Sequence, residues 1–578
     1  MNSHGSTAKP GRYQFMGVVC ALLTFGVIAT LHVSATNGTT TLEAFAISIA
    51  SLLIFFPLLR SSKPQSPYRQ YQRGYTTTLI TLLGIVALFT SVQYLTISRP
   101  IVGGVDWYYY LCYSRDMVNS YPIAENAYSY FPGVYTFWTM AMRLVGQDLA
   151  TLQTVYQLAL VMVCLLTGWV VCQQTRCKTL TFFSLFWTLV LLTKFDGLTG
   201  VTECLAVIPW LIGLILWQGR SIDPEFSLWR LSLFGIAIGL TVYSKQQAGL
   251  LSLGFLYLLS EQVQQRPVQH SWRRLWLLPC IAATTLLLAC LVMGDGLLPL
   301  STGLKTVRQY GTEQSWLRNI YTQIRHDESL WLSTFIATLL FIGRRRWLQN
   351  QFSSSNSTWR MAGFTLFATL AALLQFRARP FHHYMLLCIP AMVIFCSLMF
   401  HHYRSWLQKT RLKRFFVGLI LILPSIWCAP YNDSYHPLRL RPPETVEWDR
   451  QHHPFHDDQM QAIISELDEQ VPAESRMLIM PGRYNQIHFA IETLSDAESG
   501  YNFRTRQFSA SGNLWQQPLE NTSAEYVLFL TGKVLSEAEQ QIWTERRLSQ
   551  ASSTLAARGY QLIPNAISVE HGLLFRKQ

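Results

Sequence analysis

The chain has 578 residues, 50% hydrophobic and only 14% charged, with a mean hydropathy of +0.19. Soluble domains carry about 25% charge, so the composition excludes a string of soluble domains, a disordered chain and a small secreted scaffold, and points to an integral membrane protein. The formal net charge of +13 divides into +19 over residues 1–430 and −6 over 431–578. The basic residues cluster at the ends of apolar segments, which is an orientation signal rather than a nucleic-acid footprint. No nucleic-acid partner is expected.

Segments apolar enough to cross about 30 Å of hydrocarbon recur at 14–34, 42–59, 76–96, 149–172, 179–193, 200–217, 228–243, 247–260, 274–293, 329–343, 360–376, 381–400 and 413–429. That is about thirteen transmembrane helices. The first has no clear small-residue cleavage pattern and is read as a retained span. Arg60, Lys63, Arg69, Arg176, Lys178, Arg220, Arg344, Arg345, Arg346, Lys409 and Arg411 fall in alternate connections, which the Lys/Arg rule places in the cytoplasm. The other connections then face outward, together with everything after about residue 430. Of the acids before 431, only Asp223, Glu225 and Glu261 lie in the inner loops. Chemistry is therefore expected on the outer face, although acids at this boundary can simply be tolerated there.

The outer loop at 97–148 carries Tyr-Phe-Pro-Gly at 130–133 and then an apolar, aromatic stretch at 134–145. That stretch is too short to span and is expected to be a helix along the membrane interface. Residues 1–75 form an N-terminal hairpin and cytoplasmic loop in this reading, and 76–430 form the transmembrane module. Residues 431–578 change character. Helices are expected at 460–469 and 536–559, the second with a Ser536/Glu539 capping box. Strands are expected at 476–480, 525–530, 560–563 and 572–576. The alternation predicts a small α/β domain, extracytoplasmic and free of cysteine, since all 11 Cys lie at or before Cys428.

Several catalytic signatures are missing. The sequence has no Gly-rich phosphate loop after a strand, no HExxH, no GxSxG and no Asp-x-Asp. Carboxylate-plus-cation chemistry remains. If 106–117 is helical, Asp106, Tyr109, Tyr110 and Tyr113 share a face. This pattern fits a sugar site or an aromatic belt with an Asp cap. Asp196 lies in the next outer loop, with Glu203 about two turns beyond it if the stretch is helical. Ser-Lys-Gln-Gln at 244–247 interrupts two apolar runs. A lysine there is costly and needs a partner; Lys245 either holds a lipid phosphate or snorkels to headgroups. Arg377, Arg379, His382 and His383 form the densest polar cluster between spans. They can grip a phosphate by charge-assisted bonds or anchor to headgroups. Adjacent His382 and His383 diverge, so no metal site is assigned to them.

Taken in order, these pieces resemble the GT-C class of polytopic glycosyltransferases. They are Asp106 in the first large outer loop, Tyr-x-Tyr-Phe-Pro-Gly at 128–133, Asp196, Ser-Lys-Gln-Gln before Ala248, His-His-Tyr at 382–384 and the C-terminal α/β domain. The resemblance covers 76–578. It departs from the class in two places: two spans precede the usual first one, and the usual acid pair is here Asp106-Trp107. The resemblance implies catalytic acids at Asp106 and Asp196. It implies a polyprenyl-phosphate sugar as donor, a glycan or lipid acceptor, and membrane lipid around the chain. Lys245, Arg377, Arg379, His382 and His383 would serve the phosphate, and Tyr109, Tyr110 and Tyr130 the sugar. No cofactor is assigned, and a divalent cation is compatible with the scheme. The expected location is the bacterial inner membrane. The alternatives are a transporter or flippase for a lipid-linked or small molecule, and a polysaccharide ligase.

Overall fold

A computed structural model describes residues 105–118, 132–147, 149–195, 200–217, 228–255, 257, 271–292, 315–348, 357–377, 382–407, 458–472, 475, 477–480, 519, 524–531, 545–568 and 572–578. The membrane part begins with α1 (Val105–Val118) and α2 (Gly133–Val145). It continues through α3 (Leu149–Thr175), α4 (Lys178–Lys194), α5 (Thr202–Trp217) and α6 (Leu228–Ser244). A 3-10 helix follows at Gln246–Gly254, then α7 (Ser271–Val292), α8 (Trp316–His326), α9 (Glu328–Leu348) and α10 (Ser357–Ala372). Two short 3-10 turns, Leu373–Arg377 and His382–Tyr384, lead into α11 (Met385–Leu407).

Among the described residues three helices are long and apolar enough to cross a membrane: Thr151–Thr175, Ser357–Arg377 and His382–His402. Shorter apolar helices lie at Leu180–Lys194, Thr202–Trp217, Leu228–Ser244, Trp276–Val292 and Leu330–Gly343. The expected segments at 14–34, 42–59, 76–96 and 413–429 lie outside the described residues. One expected span takes a different form. The run at 247–260 opens as the 3-10 helix, which rises about 2 Å per residue and is rarely this long. Its Gly254 lies where an added Cβ would come 2.5 Å from the Phe364 carbonyl of α10. Close approach to α10 therefore shapes this segment, and hydropathy alone does not register it.

The helices pack around one apolar core that runs from Trp107 and Trp138 to Phe395 and Met399. Hydroxyls within it are satisfied locally. Thr167, Thr188, Thr193 and Thr241 each donate to the carbonyl four residues earlier, as a water-free interior demands. Ser184 of α4 and Ser397 of α11 share a hydrogen bond at 2.8 Å across helices.

The C-terminal residues carry a second core. Helix α12 (Asp458–Gln470) precedes β1 (Met477–Met480) and β2 (Tyr526–Leu530). Helix α13 (Glu545–Ala557), β3 (Tyr560–Leu562) and β4 (Gly572–Lys577) follow. The sheet order is β1-β2-β4-β3, with β1 and β2 parallel and the other two pairings antiparallel. Both β1 and β2 are buried along their whole length, as their unbroken apolar sequences require. Ile463, Ile464 and Leu467 of α12 and Ala551 and Leu555 of α13 join this core. The four strands match the expected segments to within a residue. The described part of the expected 536–559 helix starts at Glu545, so the Ser536 cap lies outside the described residues.

Candidate functional site

The site grows from the aromatic faces of α1 and α2. Tyr135 receives the edges of Tyr110 and Tyr113, at ring separations of 6.1 and 5.7 Å, which is favoured aromatic geometry. Trp107 meets Trp138 at 5.9 Å, and Trp138 stacks on Tyr156 of α3 at 6.2 Å. The Tyr156 hydroxyl then donates to the Val201 carbonyl at 3.0 Å. This chain of rings ties α1 to the turn that opens α5.

Two glycines permit the arrangement. Gly133 of the Tyr-Phe-Pro-Gly motif lies where a Cβ would sit 2.6 Å from the Tyr243 carbonyl and 2.7 Å from Ser244 Cα, so α2 abuts the end of α6. A hydrogen bond of 2.7 Å between the hydroxyls of Thr136 and Tyr243 fixes that contact. Gly200 has φ +78, and a Cβ there would collide with the Trp107 ring. The turn of α1 that carries Asp106 is thus docked beside the start of α5. Gly200→Ala combines a left-handed backbone strain of about 1–2 kcal/mol with an overpacking cost of about 1–3 kcal/mol. We expect it to lower the thermal midpoint and shift Trp107; an unchanged melting curve would contradict this packing.

Glu203, in the first turn of α5, is buried. Its Oε1 accepts from Lys245 Nζ, and Lys245 also donates to Thr202 Oγ1 at 2.9 Å. Lys245 Nζ lies over the Tyr384 ring at 5.6 Å, a cation–π position. His383 Nε2 stands 3.9 Å from the same Glu203 oxygen, with its side chain 20% exposed. Lys245 interrupts α6 and the 3-10 helix with an extended backbone, φ −159. The break in the apolar run therefore marks the point where the lysine turns inward.

The His382–Tyr384 turn is held from both sides. Gln375 Nε2 donates to the Tyr384 carbonyl at 3.0 Å. His382 Nδ1 and Gln323 Oε1 of α8 are 3.0 Å apart. Asn319 of α8 donates to the Phe376 carbonyl at 2.7 Å, and the Trp316 ring N–H donates to the Leu373 carbonyl at 3.0 Å. Helix α8 is itself anchored through Asp327, which forms a fully buried ion pair with Lys194 at 3.0 Å. The second oxygen of Asp327 caps α9 by accepting from Leu330 N–H at 2.9 Å.

Lys245 does not present an open cation: its ammonium is enclosed by Glu203, Thr202 and the Tyr384 ring, because a charge at this depth must be compensated. Tyr110 is not an open sugar platform either, since its ring is buried against Tyr135. His383 stands beside Glu203, while His382 is turned to Gln323 of α8. Arg377 is exposed at the end of its 3-10 turn. For Asp106 and Tyr109 only the backbone, within α1, is described. Asp196, Arg379 and Tyr130 lie outside the described residues. No group of three or more His, Cys, Asp or Glu side chains forms a metal-holding cluster among the described residues. Sequence reasoning gave no role to Glu203, Thr202, Gln323, Asn319, Lys194 or Asp327. The signal for the two ion pairs was present: each lysine adjoins an apolar run and must find an acid.

No protein-family model matches the sequence, and no curated protein matches it. Solved structures do. ArnT from Cupriavidus metallidurans, bound to undecaprenyl phosphate, aligns over 86% of this chain and 97% of its own, with 11% identity and a TM-score of 0.51. An Archaeoglobus fulgidus oligosaccharyltransferase, in complex with zinc and sulfate, aligns over 85% of this chain and 72% of its own, with 13% identity and a TM-score of 0.42. At such identities the likeness is one of fold, and the ArnT alignment carries it. The chain is a polytopic membrane protein with the fold of the GT-C class.

Proposed function

We propose that this chain, built on the GT-C fold, transfers a sugar from a polyprenyl-phosphate donor to an acceptor hydroxyl on a glycan or lipid. The observation that carries the reading is the buried Glu203–Lys245 pair with His383 facing it. It stands beside the α1 turn of Asp106 because Trp107 fills the space over Gly200. The ArnT structure that aligns over nearly its full length holds undecaprenyl phosphate, which supports a donor of that class.

The chemistry asks little of the protein. A lipid phosphate leaves readily as an anion, so no general acid is needed of the kind a glycosidase uses to expel an alcohol. The acceptor oxygen attacks the anomeric carbon, the bond from that carbon to the phosphate oxygen breaks, and the hydroxyl proton passes to a carboxylate. Asp106 is that base, and Asp196 orients a substrate. Attack opposite the phosphate inverts the anomeric centre. Arg377, Arg379, His382 and His383 face the departing phosphate, where fixed positive groups stabilise developing charge. Lys245 acts from behind: through Glu203 and the Tyr384 ring it positions the histidine turn. Tyr109 and Tyr130 are the remaining aromatic candidates for the sugar.

The Lys/Arg distribution supports an outward-facing site and an extracytoplasmic domain at 431–578 on a thirteen-span layout, and the GT-C fold supports placing the chain in a bacterial inner membrane. The transmembrane module at 76–430 then carries the reaction, and 1–75 is an added hairpin. Mass spectrometry of cell-envelope glycans and glycolipids after deletion tests the reading in the cell. One envelope species is expected to lose a single sugar; an unchanged glycan and glycolipid profile would count against it.

A further inference from the structure

We propose that α8 is a bilayer-seated helix whose outer face binds anionic phospholipid headgroups while its inner face holds the His382–Tyr384 turn. The inference goes beyond the transfer reading and does not depend on which reaction the site performs. Its basis is an amphipathicity turned inside out. The face of α8 toward the protein is polar: Asn319 and Gln323 are buried, spaced i and i+4, and bonded to the 373–384 segment. The opposite face carries Leu317 at 71% exposure and Tyr321 at 58%, with half-buried Ile324 one turn further on. An aqueous surface would favour the reverse arrangement.

The occupant follows from charge and continuity. Arg318 and Arg325 are exposed and lie beside the apolar stripe, and α8 contains no acid. Apolar residues flanked by arginines, with an aromatic ring at the boundary, are the pattern of an interfacial helix attracted to anionic lipid. Helix α9 starts two residues later and presents exposed Leu332, Phe335, Ile336 and Leu339 at i, i+3, i+4 and i+7. In the membrane reading of the apolar run Leu330–Gly343 that stripe faces lipid, so the outer face of α8 adjoins the same bilayer. Among the described residues the acids at the end of α8 do not oppose this: Asp327 is neutralised by Lys194, which leaves exposed Glu328 at the start of α9.

The test uses the full chain in nanodiscs of phosphatidylcholine alone or with phosphatidylglycerol, read by hydrogen exchange of the peptide covering 316–326. We expect exchange to slow several-fold in the anionic discs. Arg318→Gln/Arg325→Gln should remove the difference between the two lipids, and Leu317→Asp/Tyr321→Asp should speed exchange in both. Exchange of the neighbouring α10 peptide, unchanged in these variants, reports that the fold is intact. Equal exchange in the two discs, or protection that survives both variants, would overturn the proposal. Protection seen only with two protein copies per disc would assign the face to a second copy and also overturn it.

Discussion

Glu203→Gln should destabilise the membrane core by about 3–5 kcal/mol, because it leaves the Lys245 ammonium buried beside a neutral amide. The wild-type pair is enclosed, with 4% and 1% side-chain exposure for Lys245 and Glu203, so solvent cannot take over from the lost carboxylate. Lys245→Met should cost a similar amount from the other side. The double variant Glu203→Leu/Lys245→Met should recover most of the loss, since replacing both charges by apolar groups removes the desolvation penalty together with the attraction. Urea or thermal unfolding in detergent reads the wild type and the three variants. The double variant should still transfer poorly, as it removes the group that positions Tyr384 and faces His383. Single-variant losses below about 1 kcal/mol, the range of exposed pairs, would mean that the pair is solvated and does not brace the site.

The second large effect concerns Asp106. Asn at this position keeps the shape and the hydrogen-bonding capacity of the side chain while removing its basicity. Loss of a positioned general base typically lowers turnover 10²–10⁴-fold. We expect a fall of that order in kcat, with the affinity for polyprenyl phosphate nearly unchanged, since the phosphate is held by other residues. The predicted signature is a kcat effect with little change in KM. Wild-type turnover in the variant would remove Asp106 from the reaction.

Much of the architecture could be read from residue patterns. The spacing at 134–145 predicts a short helix and one is found at Gly133–Val145. The apolar runs in 476–480 and 525–530 predict strands, and both strands are buried along their whole length. Other features could not be read in this way. A 3-10 helix at Gln246–Gly254 depends on how closely α10 approaches, which is a tertiary fact that hydropathy does not encode. The role of Lys245 turns on its partner. A lone lysine in an apolar stretch states the need for an acid, but several acids line the outer boundary and only the fold selects Glu203. Helical periodicity groups Tyr110 with Asp106, Tyr109 and Tyr113, but the burial of its ring against Tyr135 is a tertiary fact that periodicity does not register. Gln323 and Asn319 carry no sequence signature, because a polar residue on an amphipathic helix reads as solvent-facing until the helix is seen inverted.

The measurement that bears most directly on the whole account is the fate of a polyprenyl-phosphate sugar in vesicles reconstituted with the full chain, with sugar and phosphate labelled separately. Glycosyl transfer predicts that the sugar moves to an acceptor while polyprenyl phosphate is released in equal amount, and that Asp106→Asn stops both. Passage of the intact sugar–phosphate lipid to the opposite leaflet, with neither label separated from the other, would contradict transfer and make the chain a lipid transporter.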